Sequence, residues 1–391
     1  MPAMPDEHEQ FLARALELAA RGRGAVEPNP MVGAVIVRDG QVIGEGFHQR
    51  FGGPHAEVEA IAAARRAGHD VAGATMYVSL EPCCHQGKTP PCTEAIIAAK
   101  IARVVAAMED PDRQVSGKGV AALRAAGVEV VTGVCRDQAR RLLAGYVKLR
   151  TQGRPWIICK WAQSLDGRIA TFTGHSKWIS GEASRQRAHA LRGQCDGVCV
   201  GVGTVKADDP LLTNRSGSGR QPARVVLDEA LDIPLRCRLL ASTDLSPVII
   251  AACQEAPERA RQAVRQAGAE VLILPPAPGG VDLAALLDEL GRRQWTYLLV
   301  EGGRGVLGSF LGSRLADELV VFVAPRLLGG RRSLGPVAAH PGALPPGGGA
   351  RRRGGGGRLR GARPDGRGAG QGRQGEADPQ LPRPDVGGGG L

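Results

Sequence analysis

Three short segments carry residues able to hold and use a metal ion: His55-Ala56-Glu57, Pro82-Cys83 and Pro91-Cys92. One imidazole and two thiolates leave the fourth position of a tetrahedral zinc to water, the arrangement of a catalytic site. Zinc brings the pKa of such a water down to about 7, so a hydroxide nucleophile is available at neutral pH. Glu57 follows the histidine by two residues and is placed to face that water without binding the metal. It would take the water's proton and pass it to a departing amine. A lone His-x-Glu is ordinarily a solvated pair, and a cysteine beside a proline ordinarily a buried thiol. Three such elements in this order, each expected to begin a helix, argue for His55, Cys83 and Cys92 as zinc ligands and Glu57 as the proton carrier.

Alternating strands and helices must position these residues. The apolar spacing of Phe11, Leu12, Ala15, Leu16 and Ala19 predicts an amphipathic helix ending at Gly22 or Gly24. Strands over 31–37 and 42–47 flank Asp39-Gly40, a dipeptide that favours a tight hairpin turn. A helix over 56–67, stopped by Gly68, precedes a strand over 74–80 that delivers Leu80-Glu81 to the cysteine loop. Beyond that loop the pattern predicts a helix near 93–100, a strand at 102–108, a helix ending at Gly127, a strand at 128–131 and a helix at 137–147. Such alternation implies a mostly parallel sheet covered on both faces. Residues 150–155 read as a linker.

A second α/β series follows, with strands expected at 156–162, 198–202, 224–227, 248–251, 271–274, 297–300 and 319–323. Helices fit at 183–191, 258–267 and 283–290. Its candidate functional segments are Lys160 to Arg168, Ser176 to Ile179, Gly201-Val202-Gly203-Thr204, Ala207 to Pro210, and Glu301-Gly302-Gly303-Arg304-Gly305. The two glycine-rich turns would let backbone N–H groups approach a phosphate at a helix start. A complete dinucleotide fingerprint with its acidic partner is absent, so a Rossmann domain is not supported.

Composition sets the class. A chain of 391 residues, 43% hydrophobic, suggests two domains with their own cores and no bilayer span. The polar, acidic start lacks a signal-peptide layout. Nine cysteines, mostly single and inside apolar runs, read as free thiols of a reducing cytoplasm. The net charge of +11 invites a nucleic-acid reading. Yet residues 331–391 hold eleven Arg against four acids, which is +7 and leaves only +4 for the rest. From about Gly335 the chain is Gly, Arg and Pro with hardly any large apolar residue, a composition that cannot bury enough surface to fold. The tail lacks the interleaved aromatics that stack on bases, so no nucleic-acid partner and no membrane are expected. Such text is what a GC-rich gene yields out of frame, and we read a frameshift near residue 333.

The order His-x-Glu, Pro-Cys, Pro-Cys is that of the zinc nucleobase deaminases. Their commoner pattern separates the cysteines by two residues, whereas eight stand between Cys83 and Cys92. In this long loop, Gly87-Lys88-Thr89-Pro90-Pro91-Cys92, the chain resembles the bifunctional deaminase–reductases of riboflavin biosynthesis. The likeness extends through Pro28-Asn29-Pro30-Met31-Val32-Gly33, Gly46-Phe47-His48 and Pro54-His55-Ala56-Glu57-Val58, then Ser164-Leu165-Asp166-Gly167-Arg168, Ala207-Asp208-Asp209-Pro210 and Val300-Glu301-Gly302-Gly303. It runs from about His8 to about Pro336. Cys84 stands where the family usually has Ser and reads as a bystander. Asp112-Arg113 replaces the usual Asn-Pro, a change that bears on substrate contacts.

The resemblance implies an α/β protein: a cytidine-deaminase-like α/β/α sandwich over 1–149, then a dihydrofolate-reductase-like α/β domain over 150–334 that lacks its last strands, and a Gly/Arg/Pro-rich tail over 335–391. It implies a diaminopyrimidinone bearing a ribosylamino 5′-phosphate as substrate, deaminated at the carbon holding the 2-amino group. NADPH then reduces the ribosyl group to ribityl. Asn29 would reach the base, and Lys88 and His48 the phosphate. Carried over by position, Ala162, Trp178, Thr204, Asp208, Gly303, Arg304 and Gly305 would hold NADPH. Ser176, Arg192, Leu212, Arg215 and Glu301 would hold the second substrate, the two arginines suiting a phosphate through paired hydrogen bonds. A homo-oligomer is expected. Two rival functions remain open on sequence: a nucleobase deaminase with an inert second half, against which Lys88 and Ser-Leu-Asp-Gly-Arg speak, and an RNA-binding protein using the tail.

Overall fold

The computed structural model describes residues 7–174, 176, 179–330 and 332–337. Five strands form the first sheet: β1 (Gly33–Arg38), β2 (Gln41–Phe47), β3 (Thr75–Val78), β4 (Arg103–Ala106) and β5 (Glu129–Thr132). Their spatial order is β2-β1-β3-β4-β5. Strand β1 is antiparallel to both neighbours, while β3, β4 and β5 are parallel. The β1–β2 turn has Asp39 at φ 52° and Gly40 at φ 72°, the left-handed pair that the sequence dipeptide was expected to supply.

Period-two alternation splits β1 between two cores. Ala34 and Ile36 join the helices α2 (Ala56–Arg66), α3 (Cys92–Ala98) and α4 (Lys118–Ala125) on one face. Val35 and Val37 join α1 (Glu7–Ala20), α5 (Arg136–Leu142) and α6 (Ala144–Gln152) on the other. The result is a three-layer α/β/α unit. Gly46 of β2 has no side chain because a Cβ would lie 2.4 Å from Ala60 N and 2.6 Å from Ala56 O. That close approach fixes the first turn of α2, and with it His55.

Two expectations change here. The single helix over 137–147 is two helices, α5 and α6, parted at Leu143. The stretch read as a linker is partly helical, since α6 runs to Gln152 and ends at Gly153 with φ 68°.

The second sheet has seven parallel strands: β6 (Trp156–Ser164), β7 (Gly197–Gly201), β8 (Ala223–Leu227), β9 (Val248–Cys253), β10 (Glu270–Leu274), β13 (Tyr297–Val300) and β14 (Glu318–Ala324). A small antiparallel ribbon, β11 (Pro276–Ala277) with β12 (Gly280–Val281), stands apart from it. The order β10-β9-β8-β7-β13-β6-β14 reverses direction between β7 and β13, and the crevice at the carboxyl ends of such strands is where ligands bind. Helices α7 (Glu182–Arg192), α8 (Val202–Asp208) and α9 (Glu258–Gln266) cover one face, and α10 (Leu283–Arg292) and α11 (Arg304–Gly312) the other. Helix α10 shows why these segments are helical: Leu283, Leu286, Leu287 and Leu290 make one buried stripe. Asp282 caps it by accepting from Ala284 N at 2.8 Å and Ala285 N at 3.2 Å.

Both sheets belong to one compact unit. Gly145 at the start of α6 donates its N–H to Tyr297 Oη at 3.1 Å, and Lys148 Nζ meets Asp317 at 2.5 Å. No helix among the described residues is long and apolar enough to cross a membrane. The tail over 335–391 lies outside the described residues from Ala338 onward.

Candidate active site

His55 occupies the N-cap position of α2, with extended backbone (φ −79°, ψ 164°) and no capping hydrogen bond from its side chain. Cys92 is the first residue of α3 and is fully buried. Cys83, expected to begin a helix, instead lies in the loop after β3. Pro90-Pro91 and Gly87 delay the helix until Cys92. Cys83 still uses that helix start, since its sulfur accepts the Cys92 N–H at 3.3 Å and its carbonyl accepts the Thr93 N–H at 3.1 Å.

The three donor atoms lie within 4.8 Å of one another, with His55 Nδ1 at 3.2 Å from Cys92 Sγ and 3.5 Å from Cys83 Sγ. Bond lengths of about 2.0–2.3 Å to a shared tetrahedral zinc place such donors roughly 3.5–3.8 Å apart. A hydrogen bond from Cys92 outweighs burial and, with His55, holds the Cys83 thiol well below the usual range. This is the thiolate that a metal needs. Cys84 is not part of the cluster.

Glu57 is 3% exposed, and its Oε2 has no hydrogen-bond partner. Burial, and after it the Cys83 charge, raises this carboxyl to about 7. A buried carboxylate oxygen left without a partner beside a His/Cys/Cys set is what a metal-bound water would satisfy, so the residues fit zinc.

A cavity of about 310 Å³ opens over the cluster and is lined by Asn29, His48 and Lys88. All three residues expected to hold the first substrate are therefore brought together. His48 Nδ1 donates to Pro54 O at 2.9 Å, which leaves Nε2 to accept from Asn29 Nδ2 at 3.4 Å. Burial pushes the His48 pKa down, which favours this neutral imidazole. Lys88 Nζ sits 3.8 Å from the centroid of the Phe51 ring, held at the cavity mouth by a cation–π contact.

Several residues of this site were not singled out from the sequence. Glu81 is 3% exposed and accepts backbone N–H groups of Asp110, Gly117 and Val120 at 2.9–3.0 Å, pinning the loop after β4 beside the cavity. Its signal was a charge closing an apolar strand next to Pro82-Cys83. Thr89 Oγ1 lies 3.4 Å from His55 Nε2 and fixes the ring's far edge. Asp110 and Tyr146 also line the cavity and share a 2.9 Å hydrogen bond, and burial raises Asp110 to about 6. Asp112, the departure from the family pattern, lines it too and lies 3.4 Å from Arg150 Nε.

In the second half the two glycine turns face each other across the β7–β13 crevice. Gly303 N–H donates to Thr204 Oγ1 at 3.3 Å. Gly201, Gly203 and Gly305 line a cavity of about 680 Å³, and a Cβ on Gly203 or Gly305 would meet nothing within 4 Å. Both turns do begin helices, α8 and α11. The two helix starts offer backbone N–H groups that suit a phosphate, while another part of the cavity lining is acidic, with Asp228, Glu229, Asp232 and Asp282. Arg304 and Asp208 are exposed at the first and last residues of α11 and α8, and Ala162 lies on β6 opposite Phe322. None of these three is among the residues lining that cavity. Trp178 lies outside the described residues.

Arg192 donates to Glu301 through Nε at 2.8 Å and Nη2 at 3.0 Å, and to Thr213 O through Nη1 at 3.0 Å. Two of the residues expected to bind substrate thus bind each other, joined by Lys160 at 3.3 Å. Leu212 is buried with φ 57°, directly before the Thr213 carbonyl that Arg192 holds. Arg215 is exposed nearby, and Ser176 is half-buried. Burial, then the charges of Arg192 and Arg215, pushes the His189 imidazole below its usual value, so both guanidinium groups lie near one histidine.

The model of the cytidine and deoxycytidylate deaminase zinc-binding region matches residues 5–108, and that of the RibD C-terminal domain matches 155–339. The riboflavin biosynthesis protein RibD of Aquifex aeolicus (strain VF5) is 45% identical over 328 residues, covering 84% of this chain and 89% of the relative. The Escherichia coli (strain K12) RibD is 41% identical, covering 83% and 89%. A solved Thermotoga maritima diaminohydroxyphosphoribosylaminopyrimidine deaminase/5-amino-6-(5-phosphoribosylamino)uracil reductase is 38% identical, with a TM-score of 0.75 over 87% of this chain and 93% of that one. Acinetobacter baumannii RibD is 40% identical, with a TM-score of 0.76 over 85% and 91%. A shared architecture across both sheets, together with identity at this level over most of the chain, places this protein in the RibD family of riboflavin biosynthesis proteins.

Proposed function

We propose that the chain carries out two consecutive steps of riboflavin biosynthesis, a hydrolytic deamination in the first half and an NADPH-dependent reduction in the second. Its cofactors are zinc and NADPH. The first substrate is 2,5-diamino-6-(5-phosphoribosylamino)pyrimidin-4-one, and the product of its deamination is the substrate of the reductase. The observation that carries this reading is the unpartnered, buried Oε2 of Glu57 beside the His55, Cys83 and Cys92 donors.

In the first half, His55, Cys83 and Cys92 would hold zinc, which when bound would supply an acidified water as nucleophile at neutral pH. Glu57 Oε2 takes the proton of that water as its oxygen bonds to the carbon bearing the 2-amino group. The same oxygen then returns the proton to the amino nitrogen, the carbon–nitrogen bond breaks, and ammonia leaves. Asn29 orients the base and Lys88 faces the 5′-phosphate at the mouth. His48, expected at the phosphate, is assigned instead to the base beside Asn29, because burial favours its neutral ring and Nε2 faces the Asn29 amide. Tyr146, Asp110 and Val115 help to wall the pocket.

In the second half, NADPH when bound would supply a hydride to C1′ of the ribosyl group, with the ring C1′–O bond opening and its oxygen taking a proton to give the ribityl chain. Gly203, Thr204 and Gly303 to Gly305 hold the cofactor, with Ala162, Trp178, Asp208 and Arg304 completing its site. Arg192, Arg215, Ser176, Leu212 and Glu301 form the substrate side. Arg192 is held in place by Glu301 and Thr213 O, and it and Arg215 are the proposed phosphate ligands. Residues 1–149 and 150–334 form the two catalytic domains, and 335–391 is a tail read out of frame; resequencing the gene tests that boundary. The chain is cytoplasmic, in keeping with nine free cysteines. It is proposed to assemble as a homo-oligomer.

Incubating the purified protein with the diaminopyrimidine phosphate, zinc and NADPH, and separating the products by mass, tests the order. The deaminated ribosyl compound should appear first and the ribityl compound second. A ribityl compound that still carries the 2-amino group would overturn the sequence of steps.

A further inference from the structure

The loop that precedes Asn29 is clasped by the other half of the molecule. Arg23 lies 5.2 Å from the centroid of the Tyr297 ring, and its Nη2 donates to Leu142 O at 3.4 Å. Gly24, at φ 84°, presses on Gly193, where a Cβ would stand 2.5 Å from the carbonyl oxygen. Glu27 is buried, with its side chain 2% exposed; its Oε1 accepts the Gly24 N–H at 2.9 Å. Its other oxygen faces Arg220 Nη2 at 3.8 Å, and neither atom has a hydrogen-bond partner.

Arg220 is itself held rigidly. Its Nη1 meets Asp196 Oδ1 at 2.9 Å and its Nε donates to Cys195 O at 3.1 Å. Asp196 is fixed in turn, because Oδ2 accepts from Thr296 N, Thr296 Oγ1 and Tyr297 N at 2.8–2.9 Å. Burial pushes the Glu27 pKa up, and the largest opposing influence is the charge of Arg220, paired with it at 3.8 Å. Two residues after Glu27 stands Asn29, whose N–H donates to Val26 O at 3.0 Å and whose amide meets His48 in the first cavity.

We infer that Arg220, carried by the reductase half, is a positioning residue for the deaminase: by holding Glu27 it sets the loop that presents Asn29 to the pyrimidine. This rests on the deaminase reading above. The reductase scaffold therefore completes the deaminase site without contributing an atom to it. The contact acts on substrate placement and leaves the zinc cluster and Glu57 as they are.

The test compares the full-length protein with Arg220→Ala and Arg220→Lys. Hydrogen exchange over residues 23–32 should quicken in Arg220→Ala while both sheets keep their protection, a readout that stands even if the substrate has been misassigned. In the ammonia assay KM should rise roughly tenfold with kcat within about twofold, the pattern of a lost positioning contact. NADPH oxidation with the deaminated substrate should be unchanged, and Arg220→Lys should recover part of the KM. Unaltered exchange in the loop would overturn the inference, and so would an equal fall of both activities, which marks a purely structural role. Failure of the deaminase reading looks different, since the unmodified protein would then release no ammonia.

Discussion

Arg192 and Glu301 meet through two parallel hydrogen bonds, and Lys160 approaches the same carboxylate from β6. One acid thus ties α7, the end of β13 and β6 together.

That carboxylate gives the stability a definite pH dependence. Burial works to raise the Glu301 pKa, but the Lys160 and Arg192 charges outweigh it and hold it down to about 2. A group depressed below its unfolded value of about 4.3 contributes stability in full above that value. The contribution is lost as pH falls from about 5 toward 2. Urea midpoints should drop steeply across this window in the unmodified protein and less steeply in Glu301→Gln. Equal slopes would contradict the pairing. At neutral pH the variant should be less stable by about 2–4 kcal/mol, because two partly buried cations lose their counter-charge.

Glu57→Gln keeps the size of the side chain and removes its proton transfer. Ammonia release should fall by about 10²- to 10⁴-fold, with zinc content and NADPH oxidation of the deaminated substrate unchanged. Elemental analysis beside the two assays checks this, and a variant that loses zinc as well as ammonia release would make Glu57 a ligand.

Zinc retention separates the three cysteines of the loop. Cys83→Ser and Cys92→Ser should each lose bound zinc and ammonia release, whereas Cys84→Ser should keep both. Chelating the metal from the unmodified protein should stop ammonia release and spare NADPH oxidation.

Gly203 lines the larger cavity with open space where a Cβ would lie. Gly203→Val should therefore fold normally and raise KM for NADPH by roughly tenfold or more, with ammonia release unaffected. Steady-state kinetics at varied NADPH decides it. An unchanged KM would move the cofactor away from this turn.

Local chemistry made much of this legible beforehand. Asp39-Gly40 needed a left-handed pair, and the strands on either side followed. The Leu283, Leu286, Leu287 and Leu290 spacing could hardly be anything but a buried helix face. His55, Glu57 and Cys92 declared themselves because each sits at or just inside a helix start. Cys83 did not conform, since its position is set by the Pro90-Pro91 loop that returns to it from nine residues later. The Glu81 hydrogen bonds to Asp110, Gly117 and Val120, and the Glu27–Arg220 contact, depend on segments far apart in sequence. No periodicity or spacing encodes such pairs; only the packed fold reveals them. The Arg192–Glu301 pair shows the converse limit, because two residues assigned by likeness to substrate turned out to hold each other.

The most direct measurement follows ammonia release and NADPH oxidation together, in one reaction of zinc-loaded protein with the diaminopyrimidine phosphate. Ammonia should appear first, and NADPH oxidation should follow after a lag until the two amounts are equal. NADPH consumed without ammonia, or no ammonia from folded, zinc-loaded protein, would contradict the assignment of the His55, Cys83 and Cys92 site to this deamination.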